Sequence, residues 1–103
     1  MEGLELICFR IISIVGTARS LYIEAIQEAK ESNFDLAYEK IREGEEIFIE
    51  GHRCHAELVQ KEASGTPVEV SLLLAHAEDQ LMSAEGFAIV AREFVELYEK
   101  INT

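Results

Sequence analysis

The sequence predicts an all-α fold, an antiparallel up-down-up bundle of three long helices, and three observations carry that prediction. Apolar residues recur at alternating three- and four-residue steps along most of the chain. Only two short breaks interrupt them, at Ser32-Asn33 and at Glu62-Ala63-Ser64-Gly65-Thr66-Pro67. The chain has 103 residues, 49% hydrophobic and with one proline, enough for one compact domain over 1–103 and too few for two.

The first helix is read from Leu4, Ile7, Ile11, Val15, Ala18, Tyr22, Ala25 and Ala29, which share one face opposite Glu5, Arg19, Gln27 and Glu31. Gly16 interrupts it at a cost of about 1 kcal/mol against alanine, either tolerated or used for close packing. Ser32, with Asp35 three residues on, reads as the N-cap of the second helix. That helix runs from Asn33 or Phe34 to about Lys61, with Phe34, Ala37, Ile41, Gly44, Phe48 and Gly51 on one face. Its glycines make a narrow strip where another helix can approach.

Gly65 then terminates a helix and Pro67 suits a first helical position, while Thr66 and Glu69 have capping-box spacing. A third helix is expected from Pro67 to about Ile101, roughly 50 Å long at 1.5 Å per residue. Turns this short force neighbouring helices to be antiparallel. An elongated bundle of this size leaves apolar surface poorly covered, which predicts self-association.

Charge and composition narrow the function. Twenty acidic residues against nine basic ones give a formal net charge of -11, which repels phosphate backbones and anionic lipid, so nucleic-acid binding is not expected. Charged residues such as Glu5 and Arg10 punctuate every apolar run, so no membrane insertion is expected, and the N-terminus shows no signal-peptide pattern. The expected location is the cytoplasm. Cys8 and Cys54 read as reduced thiols, Cys8 in the core. No nucleotide-binding loop, serine-hydrolase elbow or paired C-x-x-C motif is present.

On the third helix, one stripe reads Leu73, His76, Gln80, Ser83, Phe87, Val90, Phe94, Leu97 and Ile101, and its neighbour reads Leu72, Ala75, Asp79, Met82 and Gly86. Both are taken as core-facing, so His76, Asp79, Gln80 and Ser83 form a polar interruption that needs partners or a function. Either His76 is a partly buried histidine satisfied by Asp79 or Gln80, or it is a phosphoryl acceptor whose tautomer a neighbour fixes. Spacing leaves both open. His52 and His55, three apart on the second helix, read as a surface pair, with a zinc site as the alternative.

The segment His76-Ala77-Glu78-Asp79-Gln80-Leu81-Met82 resembles the H-x-Q-D-H-L-M segment of the IIA proteins of the lactose/cellobiose branch of the bacterial phosphoenolpyruvate-dependent sugar phosphotransferase system (PTS). Gly16-Thr17-Ala18-Arg19-Ser20 is similar to that family's G-D-A-R-S segment, and Glu62-Ala63-Ser64-Gly65 to its E-A-S-G turn, in the same order along the chain. The resemblance implies a homotrimer and a cytoplasmic phosphocarrier. It implies that His76 takes a phosphoryl group from the phosphocarrier HPr and passes it to a cysteine of the IIB component. It also implies that Asp79 meets its two symmetry mates around a divalent cation, Mg2+, which would relieve their repulsion. Glu78 and Gln80 depart from the resembled glutamine and histidine; Gln80 can still donate a hydrogen bond to phosphate. The competing reading is a noncatalytic helical interaction or regulatory protein derived from the same family.

Overall fold

The computed structural model describes residues 3–102; Met1, Glu2 and Thr103 of the expected domain lie outside the described residues. Three helices follow one another, α1 (Gly3–Lys30), α2 (Phe34–Ala63) and α3 (Leu72–Ile101), in a body of 54 × 24 × 20 Å. Gly44 and Gly51 of α2 lie against Tyr22 and Val15 of α1, a falling register that makes the pair antiparallel. Three ties between α2 and α3 run the same way: Tyr38 to Glu99, Arg92 to Glu45, and His55 to Glu78.

The faces expected on α1 and α2 are the buried ones. Ile11, Val15, Ala18, Tyr22, Ala25 and Ala29 are buried on α1, and Ala37, Ile41, Gly44 and Gly51 on α2. The glycine strip of α2 is a close approach to α1: a Cβ on Gly44 would lie 2.5 Å from Tyr22 Cε1, and one on Gly51 would lie 2.8 Å from Val15 Cγ1. Gly16 has no such neighbour, so within one chain it is only tolerated.

Both turns are Schellman closures. After α1, the Asn33 amide donates to the Glu28 carbonyl (2.9 Å) and the Ser32 amide to that of Ala29 (3.0 Å), with Ser32 in the left-handed region at φ 64°. After α2, the Thr66 amide donates to Lys61 (3.1 Å) and the Gly65 amide to Glu62 (3.1 Å), with Gly65 at φ 98°. Ser32 therefore ends α1 instead of capping α2. The N-cap of α2 is Asn33, whose side-chain amide donates to Glu28 and makes no cap bond.

The third helix departs from expectation at its start. Residues 66–71 are not helical, and Ser71 is the N-cap, its hydroxyl accepting from the Leu74 amide at 3.1 Å. The Thr66/Glu69 capping box does not form. Val68 instead packs on the core beside Leu4 and Ile7, which holds the strand-favouring Val68-Glu69-Val70 run out of the helix. The helix is thereby about 45 Å long, 30 residues at 1.5 Å each.

Its inward face also differs. Leu74, Ala77, Leu81, Ala84, Ala91 and Val95 are buried, while Met82, Val90, Phe94, Leu97 and Ile101 are exposed. Phe87 is only partly buried. The physical reason is that a helix buries one stripe: α3 turns Leu74, Ala77, Leu81, Ala84, Ala91 and Val95 toward its neighbours, which leaves the stripe of Met82, Val90, Phe94, Leu97 and Ile101 outside. The polar interruption is thus an outward feature.

The charges that punctuate α1 do not keep it below bilayer length. By length and composition alone α1 is long and apolar enough to cross a bilayer, despite Arg10 and Arg19. Its apolar content divides between a stripe buried by α2 and α3 and an outward set that includes Leu6, Phe9 and Ile23.

Candidate functional site

His76 stands on the second turn of α3, five residues after the Ser71 cap, and is exposed. Its turn is anchored from below: Leu74, Ala77 and Leu81 on the opposite side pack with Cys8, Ile11 and Val15 of α1. Asp79 and Gln80 lie three and four residues on, the spacing that stacks side chains on one helix face roughly 5–6 Å apart at Cβ. Asp79 is exposed and Gln80 half-buried. Among the described residues, no hydrogen bond or ion pair engages His76, Asp79 or Gln80. His76 is therefore not a buried histidine satisfied by Asp79 or Gln80, and both ring nitrogens are open to an incoming group.

Glu78 points differently. Two residues from His76, it lies roughly 200° around the helix and turns toward α2. There its Oε1 sits 2.5 Å from His55 Nε2. The His55 side chain is 20% exposed and that of Glu78 43%, so the pair closes the seam between α2 and α3 at the level of His76. Sequence reasoning missed it, because nothing local links residues 23 apart on different helices.

The remaining candidates are dispersed. His52 is exposed and faces the Phe48 ring at a centroid distance of 6.4 Å, while His55 is taken by Glu78. Among the described residues, no group of three or more His, Cys, Asp or Glu is placed to hold a metal within one chain. Cys8 is fully buried and Cys54 half-buried, and both are free thiols. Burial pushes the Cys8 thiol pKa up, and the nearby Glu78 and Glu5 carboxylates push it the same way, so this cysteine is held as a neutral core group.

An exposed imidazole, a carboxylate and an amide on one face suit nucleophilic acceptance of a group delivered by another macromolecule. A groove between α2 and α3, lined by Tyr22, Glu45, Phe48 and Arg92, lies away from His76.

Comparison with known proteins supplies the context. Residues 6–99 match the family model described as PTS system, lactose/cellobiose specific IIA subunit. The chain is 41% identical over 101 residues to the lichenan-specific phosphotransferase enzyme IIA component of Bacillus subtilis, covering 98% of this chain and 92% of that protein. Its structure is similar to the crystal structure of the PTS cellobiose-specific enzyme IIA from Bacillus anthracis, with a TM-score of 0.96, 40% identity, and coverage of 99% and 94% of the two chains. It is also similar to the IIA(chitobiose) of Escherichia coli solved in solution as a complex with HPr, with a TM-score of 0.87, 30% identity and full coverage of both chains.

Proposed function

From the premise that this chain belongs to the lactose/cellobiose-specific IIA family, and is a phosphocarrier component of a PTS serving uptake of sugars of that type, we propose that His76 is its phosphorylation site. The observation that carries this reading is the exposed imidazole of His76, unengaged by any described side chain, on a turn rigidly backed by the core. HPr is the phosphoryl donor, a reading supported by the similar IIA solved with HPr, and the cysteine of a IIB component is the acceptor. The chain acts in the cytoplasm as one IIA-type domain over 1–103.

In the transfer, an unprotonated ring nitrogen of His76 attacks phosphorus in line. The new N–P bond forms as the bond to the donor imidazole breaks, and that imidazole leaves. The transition state is loose, so the protein's contribution is position and charge. Gln80, one turn along the same face, donates its amide N–H to a phosphoryl oxygen. The return step passes the group from His76 to the IIB thiolate. A chain of net charge -11 favours partners with a basic docking surface.

The active assembly is a homotrimer. Met82, Ile89, Phe94 and Ile101 of α3 are at least two-fifths exposed in the single chain, an apolar face that shared helix packing would cover. Asp79 belongs to this outward side. One carboxylate is too few to hold Mg2+, but three related by a threefold axis offer the hard oxygen donors that ion prefers. Bound there, the ion would cancel the mutual repulsion of the carboxylates and take no part in phosphoryl transfer.

The test is transfer of label from phosphoenolpyruvate through Enzyme I and HPr. Acid-labile label on the wild type that disappears in His76→Gln is expected. Label that persists in that variant, or a folded wild type that takes none from cognate donors, overturns the assignment.

A further inference from the structure

A phosphoryl group on His76 adds about 1.5 to 2 negative charges to the second turn of α3. Glu78 is an acidic residue two positions on, turned toward α2, its Cα about 5.4 Å from that of His76 by helix geometry. Nothing in the helix itself holds a glutamate at this position, because residues two apart do not face one another. The restraint comes from α2, where His55 Nε2 meets Glu78 Oε1 at 2.5 Å. On α1, the Cys8 thiol feels both the Glu78 and the Glu5 carboxylates, which push its pKa up together with burial.

We propose that His55 is a positioning residue for phosphoryl transfer: it holds the Glu78 carboxylate in the seam between α2 and α3, away from the face on which His76 receives the phosphoryl group. This rests on the assignment of His76 above. The Glu78 side chain is 43% exposed, so a carboxylate released by His55 is free to rotate toward water and the outer face. There it sits roughly 10 Å or less from the phosphoryl oxygens, a separation at which two like charges oppose each other by about two- to tenfold in an equilibrium constant. The pair thus sets how readily the chain accepts and keeps the group, without touching it.

The experiment measures the equilibrium phosphorylated fraction against phospho-HPr for full-length wild type, His55→Ala, Glu78→Gln, Glu78→Asp and the double variant His55→Ala/Glu78→Gln, with a thermal melt of each. His55→Ala is expected to shift the equilibrium about two- to tenfold against the phosphoform. The double variant is expected to recover it, since the freed charge is gone. A mere tether between helices would leave the double variant as low as His55→Ala, and that result overturns the proposal. Glu78→Asp provides the same reading should His55→Ala fold poorly: the shorter side chain withdraws from His55 while keeping its charge, so the same loss is expected, and an unchanged equilibrium overturns the proposal. Wild type that takes no label, or label surviving His76→Gln, overturns the assignment of His76 and this proposal with it. Labelled wild type with additive variants overturns the role of His55 alone.

Discussion

The ring of Tyr22 on α1 fills the space that a side chain at position 44 on α2 would need: a Cβ on Gly44 would stand 2.5 Å from Tyr22 Cε1 and 3.2 Å from the Ala18 carbonyl oxygen. The ring has nowhere to retreat, being 1% exposed. Gly44→Ala is therefore expected to destabilise the chain by about 1–3 kcal/mol, through overpacking that pushes α2 off α1. A denaturant midpoint equal to or above that of the wild type would contradict this packing.

The same ring sets an alkaline limit. Burial, with a smaller push from Glu45, raises the Tyr22 phenol pKa to about 12 against the opposing effect of Arg92. Below pH 10 the phenol is protonated in both folded and unfolded chains. Between pH 10 and about 12 the unfolded chain loses this proton while the folded one keeps it, so the unfolded state binds fewer protons and stability falls as pH rises. Tyr22→Phe should lessen that alkaline loss, measured as denaturation midpoint against pH. The part due to Tyr38 should persist, its phenol pKa also raised, by burial and by its hydrogen bond to Glu99.

At the head of α3 the choice between two candidate caps is testable. Ser71→Ala removes the acceptor for the Leu74 amide and should cost about 1 kcal/mol. Thr66→Ala lies outside the helix, on an exposed residue, and should fall within about 0.5 kcal/mol of wild type. Equal losses in urea denaturation would restore the capping box to Thr66.

Ser32 occupies the left-handed position of a Schellman turn, φ 64°, where glycine avoids the Cβ clash. Ser32→Gly is expected to stabilise the chain by about 0.5–1 kcal/mol, the relief of backbone strain exceeding the added entropy of the unfolded chain. Thermal denaturation provides the comparison, and a lower midpoint would count against the strain.

For the cation, metal analysis of gel-filtered protein is expected to find one Mg2+ shared by three chains. Asp79→Asn should lose it, because neutral amides bind hard cations less well and no longer repel one another. Retention of stoichiometric Mg2+ in that variant would place the ion elsewhere.

The three helices, their two breaks and the buried faces of α1 and α2 were legible in the sequence, because helical periodicity and terminator residues act over a few positions. Ile11, Val15 and Tyr22 repeat at helical spacing whatever lies across from them, and Gly65 ends a helix by its own backbone freedom. The candidate site was legible in the same local way, since His76, Asp79 and Gln80 share a face by spacing alone. What only the tertiary structure decided was everything that depends on a neighbour. On α3 the buried stripe is Leu74, Ala77, Leu81, Ala84, Ala91 and Val95 while Met82 and Phe94 face out, because packing against the neighbouring helices, not side-chain apolarity alone, selects which stripe turns inward. The start of α3 moved to Ser71 because Val68 gained a core contact. His55 and Glu78 meet because antiparallel packing brings together residues 23 apart, a pairing that no local pattern encodes.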